Sequence, residues 1–240
     1  MITARMALPY MDDVLTETGQ SAAPVGELNP ARFVAAAPDG RPMWSLADEY
    51  LIATKVAVAG GASPSSALSR AGSMLVSTVL TTLADTRRQV FQADIGQRPT
   101  LSGYTRMLNT PSCSRCVILA GRWYRWSQGF QRHPRCDCMH IPSAENRAGD
   151  FRTDPNEYFR SMSAAEQDRV FTKNGAQAIR DGADMNRVEN VRMRGLSTET
   201  AHRKFGVPYR LTINDIYRAA GTRDDAIRLM QLEGYIRPSI

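Results

Sequence analysis

Lysine is almost missing from this chain. Of its 30 basic residues only Lys55, Lys173 and Lys204 are lysines, and the rest are arginines. GC-rich coding produces such a bias without any function, and a use for bidentate phosphate or carboxylate contacts produces it with one. Long apolar runs are missing too. The best candidate, Leu51 to Ala59, is interrupted by Lys55 and runs into Gly60-Gly61, which is too short to cross a bilayer. Where a secretory leader needs an apolar stretch, the chain has Arg5, Pro9, Asp12 and Asp13. These absences predict a protein with no membrane partner that stays in the cytoplasm of the cell that makes it. Neither a G-x-G-x-x-G string nor a Gly-Lys-Ser/Thr phosphate loop occurs, and no Gly-x-Ser-x-Gly elbow occurs either. The hydroxyl-rich stretch 63–82 has no neighbouring histidine and reads as helix caps and a polar face.

What is present is ordinary in bulk and uneven in detail. The 240 residues, 42% apolar and 22% charged, suit one large or two modest domains and argue against wholesale disorder. The net charge of +6 suggests an acidic partner. Residues 1–98 carry a net −1, residues 99–149 a net +5 and residues 150–240 a net +2. The basic middle segment also holds all four cysteines.

The fold class expected is mainly α. Residues 1–44, with scattered Pro and Gly and no sustained period, read as an extended arm. Residues 45–99 read as a long helical hairpin. Its first helix is capped by Ser45 with Asp48 at N3 and stops at Gly60-Gly61. The second starts at Ser63-Pro64 and carries Leu68, Leu75, Val79 and Leu83 on a broad apolar face to about Phe91. Such a hairpin completes its core against another element or subunit. In residues 100–149 the helical period disappears, and Tyr104 to Leu108 and Arg122 to Trp126 read as short strands. This is a small Cys/His-stapled α+β knuckle, expected to form a zinc module. Residues 150–240 read as a region of short C-terminal helices. Their starts are Pro155, the Ser163-x-x-Glu166 capping box, Met185, Thr212 with Asp215 at N3 and Thr222 with Asp225 at N3.

The cysteines form the pattern Cys113-x2-Cys116, then Cys136-x-Cys138, with His133 and His140 beside the second pair. Cys-x2-Cys puts two sulfurs on one tight knuckle, as a tetrahedral Zn²⁺ requires. A segment so poor in aliphatic residues needs such a staple. The candidate ligands of a structural zinc are Cys113, Cys116, His133, Cys136 and Cys138. Cys-x-Cys is the less typical spacing, so one alternative set is Cys113, Cys116, His133 and one of Cys136 or Cys138. Disulfides are a second reading, opposed by a reducing cytosol. A catalytic metal beside His133, Asp137 and His140 is a third, opposed by the lack of paired carboxylates. A zinc deaminase is disfavoured because Pro134-Arg135-Cys136-Asp137-Cys138 is not Pro-Cys-x2-Cys. Trp123, Tyr124 and Trp126 could stack bases while Arg122, Arg125 and Arg135 meet DNA phosphates; the plainer reading is that the aromatics form a small core over the knuckle.

The run Cys113-Ser-Arg-Cys116-Val-Ile-Leu-Ala-Gly121, then Trp123-Tyr124, Gly129-Phe130 and His133-Pro134-Arg135-Cys136-Asp137-Cys138, resembles the phage head-morphogenesis family named after the Mu F protein. It is similar above all to the minor capsid proteins of that type in actinobacteriophages. The strings Ala164 to Phe171, Gly175 to Asp184, Ile216-Tyr217-Arg218, Ala226 to Leu229 and Gly234-Tyr235-Ile236 resemble it too, so the likeness spans roughly residues 104–236. It implies a minor capsid protein, not an enzyme, that joins the head during assembly and stays in the virion beside the portal protein. Scaffold or major capsid protein and non-specifically held packaged DNA are the further partners implied. Many relatives follow a capsid maturation protease; this chain has no room for one, and no protease activity is expected. The rival expectation, from the +5 segment and its aromatics, is a zinc-dependent nucleic-acid-binding module or nuclease.

Overall fold

Ser63 accepts a hydrogen bond from the Ser66 backbone N–H, and Pro64 takes the first helical position, where its missing N–H costs nothing. From there a single helix runs over Pro64–Gly96. In this computed structural model the described residues are 2–20, 23–129, 133, 136, 138–144, 154–192, 199–206 and 210–237. The chain is mainly helical, with one small antiparallel sheet and a Cys/His cluster in the middle of the sequence. It divides into two units, residues 1–109 with 121–152, and residues 110–120 with 153–240. The expected 100–149 module is therefore not a unit of its own: its two strands belong with the N-terminal helices, while 110–120 groups with the C-terminal ones.

The first unit opens with α1 (Ile2–Glu17), followed by a 3-10 helix at Pro30–Val34, α2 (Met43–Ala59) and α3 (Pro64–Gly96). The helix α1 corrects the expectation of an extended arm over 1–44. Ala7, Met11 and Leu15 recur every four residues, so they share one helical face. That face is buried against Val90, Phe91 and Ile95 of α3 and against Leu101 and Tyr104. Tyr10 stacks on Phe91 with ring centroids 5.5 Å apart. Arg98, almost fully buried, ties the same corner together through Asp94 at 2.6 Å and Asp12 at 2.7 Å. The helix α2 starts two residues before the expected cap, and Ser45 instead donates its hydroxyl to the Pro42 carbonyl at 2.7 Å.

Three strands follow: β1 (Gly103–Met107), β2 (Trp123–Arg125) and β3 (Met139–Ser143), in the order β2-β1-β3 and antiparallel throughout. The register sets Tyr104 opposite Tyr124 and Arg106 opposite His140. Strand β3 was not expected, because Pro142 lies within it. Proline is tolerated there because β3 is an edge strand. Gly103 is required by close approach: a Cβ at that position would lie 2.6 Å from the Trp123 ring.

The second unit holds α4 (Ser114–Val117) and the short helices α5 (Pro155–Ser161), α6 (Ala164–Phe171), α7 (Lys173–Arg180), α8 (Met185–Val191), α9 (Glu199–Phe205), α10 (Ile213–Ala219) and α11 (Arg223–Leu232). The capping boxes at Ser163/Glu166 and Thr212/Asp215 are both formed. The helix that starts at the Ser163 capping box ends at Phe171 and α7 follows directly, because Thr172 turns to φ +65° between them. Its hydroxyl then caps α7 by accepting from the Gly175 N–H. Val188, Ile216, Met230 and Tyr235 form the core of this unit.

Candidate metal centre

The two cysteine pairs reach the same chemistry by different local geometries. Cys113 is the N-cap of α4 and Cys116 is its third residue, with the Val117 N–H bonded to the Cys113 carbonyl. A separation of three on a helical turn sets both side chains on one side. Cys136 and Cys138 lie just before β3.

The sulfurs of Cys113 and Cys116, in the second unit, lie within 4.8 Å of each other, and so do those of Cys136 and Cys138, in the first. A tetrahedral zinc with bonds of about 2.3 Å holds its sulfurs about 3.8 Å apart. The spacing within each pair therefore suits a metal ion. Cys116, Cys136 and Cys138 are buried, whereas Cys113 is at the surface. No disulfide joins the four cysteines.

Two arginines complete the surroundings, and neither was foreseen from the sequence. Arg106, on β1 and almost fully buried, donates from Nη2 to Cys136 Sγ at 3.6 Å and to Cys138 Sγ at 3.5 Å. Arg88, on α3, donates from Nε to the Cys138 carbonyl at 2.9 Å and from Nη2 to the Cys136 carbonyl, and it approaches Cys136 Sγ at 3.7 Å. Its Nη1 also pairs with Asp85 at 2.6 Å. A buried guanidinium demands negative charge or strong acceptors around it. Sulfurs in the metal-binding, thiolate form provide that charge. Arg88 also holds the backbone carbonyls of Cys136 and Cys138, which is how an outer partner orients a ligand. Period two puts Tyr104 on the same face of β1 as Arg106, and the Tyr104 ring stacks on His140 at 4.0 Å between centroids. His140 is thus packed in the sheet rather than grouped with the cysteines.

Of the remaining sequence-derived candidates, Arg122 and Arg125 are exposed at the β2 edge. Trp126 beside them is 52% exposed, while Trp123 and Tyr124 are half-buried. Tyr124 stacks on Tyr104 with ring centroids 5.5 Å apart and packs against the core of the first unit. Arg135 and Asp137 lie outside the described residues. Among those described, no carboxylate joins either group of ligand atoms, and no helix is long and apolar enough to cross a membrane. Compared with known protein families, with curated proteins and with solved structures, the chain finds no match.

Proposed function

We propose that this chain is a structural minor head protein of a phage, of the Mu F-like head-morphogenesis type, in which a structural zinc staples the cysteine pairs. The observation that carries this reading is the spacing within each cysteine pair. Cys113 with Cys116 and Cys136 with Cys138, which bear the family resemblance, each hold their sulfurs within 4.8 Å, and His133 is the further candidate of the same motif. Cys116, Cys136 and Cys138 supply three thiolates, and Cys113 or His133 fills the fourth position. The proposed set of four protein ligands is the closed arrangement of a structural zinc rather than the open one of a catalytic zinc.

In the head, the protein sits inside the capsid next to the portal protein, with scaffold or major capsid protein as further assembly partners. Arg122, just before β2, and Arg125, at its end, are exposed; packaged DNA is the proposed partner for them, met at its phosphates without reading sequence. Cryo-EM of procapsids and virions tests the assignment. Density for this chain near the portal axis is expected, and its absence from both particles would refute the reading. Elemental analysis of the purified chain tests the metal: about one zinc per chain is expected, and none would leave the cysteines without their assigned role.

A further inference from the structure

The hairpin of α2 and α3 is built inside out. Its inner face is lined by Leu46 and Tyr50 of α2 and by Ala67 and Ala71 of α3, all buried, with the Tyr50 hydroxyl bonded to Thr78. The larger aliphatic side chains point away from this seam. Among the described residues eighteen large apolar side chains are exposed, and thirteen of them stand on α2 or α3. Leu68, Leu75, Val79 and Leu83 follow one another at helical spacing, and Val76 and Leu80 widen the stripe. Ile52 and Val56 do the same on α2, at 60% and 66% exposure. A lone apolar residue on a surface needs no explanation, but a continuous field of them marks an interface.

We infer that this outer face is closed by the same face of a second copy of the chain. Three observations choose that occupant. First, from Val56 to Ala84 the only charged residue is Arg70. Two copies therefore meet through this face with few like charges opposed. Second, thirteen side chains at about half exposure leave roughly 600 Å² of apolar surface to bury. A standard interface buries about 800 Å² per partner, somewhat over half of it apolar, so one copy offers what a stable dimer needs. Third, two helical hairpins laid face to face make a four-helix bundle, and a two-fold axis closes it with no apolar field left over. No helix among the described residues is fit to span a bilayer. The inference stands independently of the head-protein reading.

Sedimentation equilibrium of the full zinc-loaded chain over the micromolar range tests it. A mass twice the 26.6 kDa of one chain is expected. The triple variant Val76→Lys/Val79→Lys/Leu80→Lys, at positions already exposed, should keep its helical circular dichroism and bind itself at least a hundredfold more weakly. Mixed with Val76→Glu/Val79→Glu/Leu80→Glu, it should regain the dimer mass, because each face then meets its charge complement. Should the triple variant lose helix content, Ile52→Lys/Leu68→Lys loads other parts of the same face and is held to the same result. A wild-type monomer throughout the range overturns the inference. So does a dimer whose mass the lysines leave unchanged. A monomer that floats with phosphatidylcholine vesicles, or that gains mass only when portal protein is added, overturns it in favour of that occupant.

Discussion

Removing the guanidinium of Arg106 should weaken zinc binding while leaving every ligand in place. Outer partners of metal ligands contribute about 10–100-fold in affinity, and Arg106→Leu is expected to lose that much in competition against a chromophoric chelator. Arg106→Lys keeps the charge without the fork that reaches both sulfurs, so it should recover part of the loss. Equal affinities for all three proteins would remove Arg106 from the site. At Thr212 the capping box sets a second expectation. The Thr212 hydroxyl donates to Asp215 at 2.6 Å, and this hydrogen bond, ahead of other causes, holds the Asp215 carboxyl below the usual range. A depressed carboxylate stabilises the fold above its unfolded-state range, and that contribution disappears as the pH falls through the folded value. Thr212→Ala should therefore cost about 1 kcal/mol near neutrality and less in acid, read as urea midpoints at the two pH values. Both halves of that box could be read in the sequence because they are three residues apart. Arg106 and Cys136 are separated by 30 residues, and Arg88 and Cys136 by 48. No local pattern announces such partners, so the cysteine pairs were legible and the arginines around them were not.

At the scale of elements, legibility followed where each element draws its stability. Helices α3, α6 and α10 declare themselves through Ser63-Pro64, Ser163/Glu166 and Thr212/Asp215, all short-range devices. Helix α1 carries Pro9 and interleaves its Ala7-Met11-Leu15 stripe with Asp12 and Asp13. It holds together through tertiary burial, which a scan along the chain does not see. Met11→Ala should accordingly cost about 2–5 kcal/mol in denaturant unfolding; a negligible loss would mean that α1 is not docked. The sheet makes an equally sharp demand at Gly103. In Gly103→Ala the added Cβ would overlap the Trp123 ring and the Tyr124 carbonyl, so the β1–β2 pair should separate. Tryptophan fluorescence shifted to the red would report it, and an unchanged spectrum with unchanged stability would contradict the close approach.

For the molecule as a whole, the metal is the strongest lever. A strong chelator should lower the thermal midpoint and added Zn²⁺ should restore it, because a ligand that binds only the folded chain stabilises it by mass action. Mg²⁺, an oxygen seeker, should not. A midpoint indifferent to chelation would mean that the cluster holds no ion. The docking of α1 has a further consequence, in time rather than in space. Its helix is made early, yet Asp12 pairs with Arg98, 86 residues later, and Gln20 donates to the Pro142 carbonyl, 122 residues later. At the usual 5–20 residues per second a ribosome needs on the order of ten seconds to cover that distance. For that interval the buried face of α1, Met11 foremost, has emerged without its partners. The chain must meanwhile be kept from aggregating, which makes slower synthesis at lower temperature, or a bound chaperone, the expected remedy for poor yield in production.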